Sequence, residues 1–158
     1  MEVEDSRLAA FLKRHRRIGL DTCIFIYQIE ENLNYVHLTN QIFEWLRKPR
    51  AEGVTSNLTM LEVLVQPYRD ADEERVDSFY ALLSTYPHLR WIDVTLSIAD
   101  RAAHLRSEYA LRTPDAIQAA TALSENATGF ISNDRSFQKV SGLDVVILDD
   151  LLETTDES

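Results

Sequence analysis

Short apolar segments alternate along the chain with longer segments in which apolar residues recur at helical spacing. Five apolar segments are predicted to be strands: residues 17–20, 53–56, 90–94, 128–132 and 144–148. Their apolar positions are continuous rather than alternating, which is typical of a parallel sheet covered on both faces. Helices are predicted between them at residues 5–15, 22–30, 35–50, 58–68, 73–86, 96–111 and 114–125. The pattern predicts an α/β fold with a five-stranded, mainly parallel sheet and helices on both faces.

The length of the chain favours one domain with a real hydrophobic core, since it has 158 residues of which 45% are hydrophobic. We expect an N-terminal helical segment at 1–16 packed on a domain at 17–152, followed by a frayed acidic tail at 153–158. The sequence contains no apolar run long enough to span a membrane and does not begin like a secretion signal. The expectation is a soluble, cytoplasmic protein without membrane contact.

The charge of the chain limits its possible partners. It has 26 acidic and 16 basic residues, which gives a net charge of -10. Such a charge disfavours non-specific binding to nucleic acid. A polyanionic partner would therefore have to be held by a local basic patch or by a bound metal ion.

Four acidic residues are predicted to meet at the carboxyl edge of the sheet, where ligands bind in open α/β folds. Asp21 directly follows the first strand, and Glu62 lies six residues after the second. Asp134 comes two residues after the fourth strand, and Asp115 opens the helix that leads into that strand. Because right-handed crossovers bring successive strand ends to one edge, we expect the four side chains to converge.

A structural explanation exists for most of these acids. Asp21, Asp115 and Asp134 could each cap a helix or complement its dipole. Glu62 is harder to explain in this way, because it stands in the largely apolar helical segment "LTMLEVLV". A carboxylate among apolar neighbours costs several kcal/mol to desolvate unless it is paired.

Gathering four carboxylates requires a counter-ion. Two carboxylates about 4 Å apart repel each other by roughly 4 kcal/mol at an effective dielectric constant of 20. No lysine adjoins any of the four acids, and oxygen-only ligands favour Mg²⁺ or Mn²⁺ over zinc. Such a site suits metal-assisted attack of water on a phosphodiester.

Four motifs in order carry a family resemblance: "LDT" at 20–22, "SNLTMLE" at 56–62, "LRTPDAIQAATAL" at 111–123 and "ISNDRSF" at 131–137. With them the chain resembles PIN-domain nucleases, and most of all the VapC-type toxin ribonucleases. The resemblance implies a three-layer α/β/α fold with strand order 3-2-1-4-5. It also implies an Mg²⁺- or Mn²⁺-dependent endoribonuclease acting on single-stranded or structured RNA, a homodimer, and inhibition by a small antitoxin protein.

The resemblance assigns roles to individual residues. Asp21, Glu62, Asp115 and Asp134 correspond to the catalytic, metal-binding acids, and the hydroxyls of Thr22, Ser56, Thr59 and Ser132 to groups that orient them. Two positions depart from the family pattern: Cys23 stands where asparagine is common, and Ser136 where many relatives have another aspartate. Because Ser136 removes a candidate ligand of a second ion, a single ion is favoured.

Basic residues near the acids are the candidates for gripping RNA phosphate: Arg112, Arg135 and, more weakly, Lys139. The basic run "KRHRR" at 13–17 precedes the first strand. It should therefore lie at the edge opposite the acids, as a solvated face or partner contact rather than as part of the active site.

Other folds that gather acids at strand ends fit less well. A receiver-like signalling domain needs a lysine after its last strand, where this chain has Asp149 and Asp150. A haloacid-dehalogenase-type phosphatase needs Asp-x-Asp after the first strand, and "LDTC" lacks it. A non-catalytic PIN-like module, which binds RNA or a protein and uses its acids only as caps, remains an alternative.

Overall fold

The computed structural model describes residues 4–152, in which five strands and eight α-helices alternate. The strands are β1 (Arg17–Leu20), β2 (Glu52–Ser56), β3 (Leu89–Ile92), β4 (Gly129–Ser132) and β5 (Asp144–Ile147). The helices are α1 (Ser6–Arg14), α2 (Thr22–Ile29), α3 (Val36–Leu46), α4 (Asn57–Arg69), α5 (Glu73–Ser84), α6 (Leu96–Tyr109), α7 (Thr113–Ser124) and α8 (Leu148–Leu152), and a 3-10 helix spans Arg135–Lys139. The predicted acidic tail at 153–158 lies outside the described residues.

The strands form one parallel sheet in the order β3-β2-β1-β4-β5, which confirms the expected fold and strand order. Strands β2 and β3 are added in turn on one side of β1, and β4 and β5 on its other side. The carboxyl ends of β1 and β4 therefore lie side by side at the point where the strand order reverses. In open α/β sheets this is the usual place for a ligand.

A hydrophobic core covers each face of the sheet, as the continuous apolar strands predicted. One core contains Ile18, Leu20 and the buried faces of α1, α2 and α3. The other contains Phe130 and the alanines of α7 together with residues of α6. The three layers are thus helices, sheet and helices.

Small residues let α7 lie close to the centre of the sheet. A Cβ atom on Gly19 of β1 would come within 2.6 Å of Phe130 Cδ2 and 2.8 Å of the Ala122 Cβ. Ala119 and Ala122 are buried on the same helix. The short distance between α7 and β1 places the first turn of α7, with Asp115, beside the carboxyl end of β1.

Several predicted boundaries differ from the observed ones. The helix predicted at 35–50 ends at Leu46, because Pro49 disfavours a helical conformation in the residues just before it. Helix α4 extends one residue beyond each predicted end and contains Pro67 in its last turn. The 3-10 helix and α8 were not predicted, since both are too short to show a helical period.

The N-terminal helix α1 packs on the domain and contacts both α8 and β5. Asp5 caps α1 by accepting hydrogen bonds from the backbone N–H groups of Arg7 and Leu8. Near the start of α1, the Arg7 guanidinium donates to the carbonyl oxygens of Asp150 and Leu151. At its end, Arg14 pairs with Asp144 at 3.0 Å. None of the helices within residues 4–152 has both the length and the hydrophobicity that a membrane span requires.

Candidate active site

The four predicted acids line one open cleft of about 360 Å³ at the carboxyl edge of the sheet, where β1 and β4 end. Asp21 comes from the β1–α2 junction, Glu62 from α4, Asp115 from α7 and Asp134 from the segment after β4. The topology therefore brings together four carboxyl groups that are far apart in the sequence.

Asp21 is held at the bottom of this cleft by two hydrogen bonds. One carboxylate oxygen accepts from the backbone N–H of Thr22 at 2.9 Å, and the other from the Ser132 hydroxyl at 2.7 Å. Burial, assisted by the negative charges of Asp115 and Glu62, raises the pKa of Asp21 to about 6, against the opposing effect of these hydrogen bonds. The first acid of the site thus carries its charge at an energetic cost.

Glu62 lies less deep than its sequence neighbours suggested. Its carboxylate accepts a hydrogen bond of 2.9 Å from the Thr22 hydroxyl, and the side chain is only half-buried. The adjacent Leu61 is 59% exposed. The apolar neighbours in the sequence thus do not bury Glu62, because the helix turns Leu61 outward and Glu62 toward the cleft.

A guanidinium group connects the other two acids. Arg112 donates from Nε to Asp115 Oδ2 at 3.2 Å, and its Nη2 lies 3.8 Å from Asp134 Oδ2. Burial raises the pKa of Asp115 even though Arg112 acts to lower it. For Asp134, burial is the largest effect and raises the pKa, but the hydrogen bond from the Ser136 backbone N–H and the Arg112 charge outweigh it, so the pKa is lowered. One cationic side chain thus already neutralises part of the cluster.

The donor set suits a hard divalent cation, although the acids are spread around the cleft. In the part of the chain that the structure describes, no three Asp, Glu, His or Cys side chains are arranged so that they could hold one ion. All four acids nevertheless offer only oxygen atoms, the ligands preferred by Mg²⁺ and Mn²⁺. Two of them, Asp21 and Asp115, have raised pKa values to which the other carboxylates contribute. A cation bound in the cleft would lower both.

The four predicted hydroxyl groups fall into two classes. Thr22 and Ser132 contact acids directly, at Glu62 and Asp21. Thr59 instead shares a hydrogen bond of 3.2 Å with the Thr22 hydroxyl, so it reaches the acids only through Thr22. The Ser56 hydroxyl accepts from the backbone N–H of Leu58 and caps α4.

Sequence analysis missed Gln118, which lies beneath the site and is only 2% exposed. Its Nε2 donates to the Thr59 hydroxyl at 2.7 Å and to the Thr22 hydroxyl at 3.3 Å. Its Oε1 accepts from the backbone N–H of Ser56 at 3.3 Å. The amide therefore links α7 to the elements that carry Asp21 and Glu62. Its signal in the sequence was a polar residue three positions after Asp115 in a run of alanines.

The three candidate phosphate contacts occupy different places. Arg112 lines the cleft, whereas Arg135 and Lys139 belong to the 3-10 helix and do not line it. Arg135 forms a two-point ion pair with Asp150, at 3.2 and 2.6 Å. Lys139 is exposed. Only Arg112 is thus placed beside the acids.

Comparisons with known proteins agree with the fold. The family model of the PIN domain matches residues 18–143. A toxin–antitoxin complex from Klebsiella pneumoniae contains a chain 26% identical, with a TM-score of 0.61 over 83% of this chain and 97% of that one. VapBC2 from Rickettsia felis bound to a promoter DNA fragment is 18% identical, with a TM-score of 0.63 over 83% and 98%. The sarcin-ricin loop cleaving toxin VapC20 from Mycobacterium tuberculosis is 18% identical, with a TM-score of 0.62 over 79% and 95%. A search of curated protein sequences found no match.

Replacing Gln118 by leucine should destabilise the protein. Gln118→Leu removes the acceptor of the Ser56 backbone N–H and the donor to Thr59, and leaves these buried groups without those partners. We expect a loss of about 1–3 kcal/mol in the free energy of unfolding, measured by urea denaturation. The control Gln138→Leu alters an exposed glutamine and should change stability by less than about 0.5 kcal/mol. Equal losses in the two variants would argue against the buried network.

The buried charge of Asp21 should make stability fall as the pH rises. Its pKa is about 6 in the folded protein against 3.8 for the free side chain, so between these values the folded state binds more protons than the unfolded state. The contribution of Asp21 to the free energy of unfolding is therefore fully present below pH 3.8. It is lost as the pH rises from 3.8 to about 6, and it stays lost at higher pH. In chelator, Asp21→Asn should be more stable than the wild type at neutral pH by about 1–3 kcal/mol, and equal to it near pH 4.

Urea denaturation across this pH range measures the effect of Asp21→Asn. The control Asp100→Asn removes an exposed acid of α6 and should follow the wild type at every pH. If the Asp21→Asn and wild-type curves stay parallel, Asp21 does not carry its charge at a cost.

Proposed function

Since the chain belongs to the PIN domain family, we propose that it is a metal-dependent endoribonuclease with Asp21, Glu62, Asp115 and Asp134 as its catalytic acids. The observation that carries this proposal is the convergence of the four carboxyl groups in one open cleft at the switch point of the sheet. Nothing in a purely structural role requires acids from four separate segments to face the same space.

Once their side chains turn toward a shared position, the carboxylates of the cleft would hold Mg²⁺ or Mn²⁺, with one ion favoured because Ser136 replaces a further aspartate. When bound, such an ion polarises the scissile phosphate and activates a water molecule. The side chains of this chain supply position. Ser132 fixes the orientation of Asp21, and Thr22 that of Glu62. The product ends that the family resemblance implies are a 5′-phosphate and a 3′-hydroxyl.

The entrance of the cleft offers groups suited to an RNA strand. Arg112 spans Asp115 and Asp134, and its side chain is 78% exposed. The guanidinium can therefore pair with a phosphate oxygen without first leaving a buried site. Tyr27 lines the same cleft and stacks on Tyr35 with ring centroids 4.3 Å apart. A stacked aromatic pair beside the acids favours single-stranded or looped RNA, whose unpaired bases can stack on it.

A protein partner follows from the same resemblance. The similar structures include a toxin–antitoxin complex and VapBC proteins, and we propose that this chain is the toxin of such a pair, acting in the cytoplasm. Its partner would be a small antitoxin protein encoded next to it. Co-purification with the product of an adjacent reading frame, together with loss of cleavage in the complex, is the expected result.

Exposed apolar side chains support a homodimer. Leu61 and Tyr68, spaced seven residues apart on α4, are 59% and 65% exposed, and Leu96 at the start of α6 is 90% exposed. Residues seven apart lie on one face of a helix. The side chains of Asn57 and Asp93, which are hydrogen-bonded to each other, hold the start of α4 beside the segment that precedes Leu96. The exposed apolar residues thus lie on adjoining elements.

Light scattering should show a dimer that Leu61→Glu converts to a monomer, because a charge at the centre of an apolar interface is left desolvated. The control Leu33→Glu changes a side chain that is 93% exposed in the loop after α2, and it should remain dimeric. A wild-type monomer, or a dimer indifferent to Leu61→Glu, would rule out this interface.

RNA cleavage tests the catalytic proposal directly. The protein should cleave RNA in Mg²⁺ or Mn²⁺, and EDTA should abolish the reaction. Asp115→Asn and Asp21→Asn should each lower the rate by at least about 100-fold, since they remove several kcal/mol of transition-state stabilisation. The control Asp100→Asn should keep full activity. Undiminished cleavage by a correctly folded Asp115→Asn or Asp21→Asn protein would refute the mechanism.

A non-catalytic PIN-like module is the second candidate, and two observations favour it. Asp21 and Asp134 do cap α2 and the 3-10 helix, and within residues 4–152 no three acids are arranged around one ion position. Calorimetric titration with Mn²⁺ separates the two candidates. A nuclease should take up the ion at a defined site that Asp115→Asn removes, whereas acids that serve only as caps should take up none.

A further inference from the structure

A second cleft, of about 380 Å³, opens near the amino edge of the sheet, opposite the acids. Its floor consists of Leu12, Trp45 and Ala51, which are all buried. The rim consists of basic residues from the end of α1 and from the loop between α3 and β2: Lys13, Arg14, Arg16, Lys48 and Arg50. No acidic side chain among the described residues lines this basic cleft.

Most of the basic residues of the cleft are free of partners. The side chains of Lys13, Arg16, Lys48 and Arg50 are exposed and form no hydrogen bond or ion pair with any described residue. Arg14, by contrast, pairs with Asp144 and lies over the ring of Phe11. Within residues 4–152, the only other Lys or Arg side chains without a partner are Arg69 and Lys139. Unpaired cations are therefore concentrated in one place.

This concentration stands out because the chain as a whole is acidic, with a net charge of -10. A polyanion is repelled by most of the surface and is attracted where positive charge is uncompensated. Three acids lie nearby. Asp144 pairs with Arg14 and His15, and Glu4 and Glu44 line a smaller adjoining recess that also includes Lys13 and Lys48. Arg16 and Arg50 line only the larger cleft, so they are the basic residues least compensated by acids.

We propose that the basic cleft binds backbone phosphates of RNA, as a second contact for the substrate at the edge of the domain opposite the catalytic acids. This proposal rests on the proposed ribonuclease function. Strand β1 leads directly from Arg16 to Asp21, and five residues of extended chain span about 17 Å. An RNA that fills both clefts must therefore extend several nucleotides beyond the scissile phosphate.

The properties of the two clefts favour RNA over an acidic peptide as the ligand. The catalytic cleft has four acids and one guanidinium, so it cannot by itself hold the remaining phosphates of a substrate. Phosphate contacts from arginine and lysine supply most of the sequence-independent affinity for nucleic acid. The floor is apolar and includes Trp45, which suits a base or ribose. An acidic peptide would use the charges but has no need of an apolar floor.

The test measures RNA affinity by fluorescence anisotropy, with a labelled single-stranded RNA long enough to reach both clefts. Chelator prevents cleavage, and the titration is repeated over a series of salt concentrations. Arg16→Gln/Arg50→Gln should weaken binding about tenfold and reduce the slope of log affinity against log salt by about 1.4, since each phosphate contact to a single strand contributes about 0.7. The fold should be unaffected, because Arg16 contributes only its backbone carbonyl, which accepts from the Glu52 N–H.

Matched variants distinguish the cleft from a general charge effect. Arg69→Gln/Arg101→Gln removes the same charge from exposed positions elsewhere and should leave the salt slope unchanged, whereas Lys13→Gln/Lys48→Gln should reduce it. An oligonucleotide that reaches only the catalytic cleft should bind all variants equally. Equal slopes for the Arg16/Arg50 and Arg69/Arg101 variants would overturn the proposal.

Competition and cleavage experiments distinguish RNA from other anionic ligands, and the basic cleft from the proposed nuclease. Inorganic phosphate and polyglutamate are tested as competitors at a concentration of charge comparable to that of the RNA. Displacement by phosphate would show a site for free phosphate, and displacement by polyglutamate a site for acidic protein. Each of these results would overturn the assignment to RNA. RNA binding that depends on Arg16 and Arg50, in a protein that never cleaves RNA in Mg²⁺, would refute only the nuclease. Efficient cleavage with binding indifferent to both arginines would refute only the basic cleft.

Discussion

Repulsion among carboxylates is the constraint on which the organisation of this protein depends. Parallel strand topology delivers four acids to one edge of the sheet, and a stable domain with only about 5–15 kcal/mol of folding free energy must then tolerate them. It does so with at least one side-chain partner for each acid. Ser132 binds Asp21, Thr22 binds Glu62, and Arg112 spans the remaining two. Burial first, and then the neighbouring carboxylates, raise the pKa values of Asp21 and Asp115, so these partners compensate the charges only in part.

Rigidity of the layer beneath the acids follows from packing and from one polar network. Gly19 and the alanines of α7 allow that helix to approach β1 closely. The close approach buries Gln118, whose amide must then be satisfied, and the hydroxyls of Thr22 and Thr59 satisfy it. A fully satisfied buried network allows one arrangement of its members and disfavours others. The residues that carry Asp21, Glu62 and Asp115 are thereby fixed relative to one another before any ligand binds.

The sequence predicted the arrangement of strands and acids better than it predicted contacts between individual side chains. Apolar runs and the order of acids along the chain are properties of single segments, so the sheet and the cleft could be inferred from them, whereas the strand order came from the resemblance to PIN-domain nucleases. Contacts such as the bridge from Arg112 to Asp134, or the capping role of Ser56, depend on side-chain rotamers and on distances between segments. Glu62 shows the limit most clearly. Its neighbours in the sequence are apolar, but the helix turns Leu61 outward, and one helical face cannot be oriented without the sheet it packs on.

The direction of the strands also separates charge of opposite sign. Residues that follow the strands gather at the carboxyl edge, where the acids lie, and residues that precede β1 and β2 gather at the amino edge, where Arg16 and Arg50 are unpaired. A net charge of -10 therefore describes neither edge. In the proposed function, the acids would bind a cation and a single phosphate group beside it, but they would repel the rest of a polyanion. A substrate held only at the carboxyl edge would then be bound weakly, and unpaired cations at the amino edge would offset that repulsion without reducing the charge at the acids.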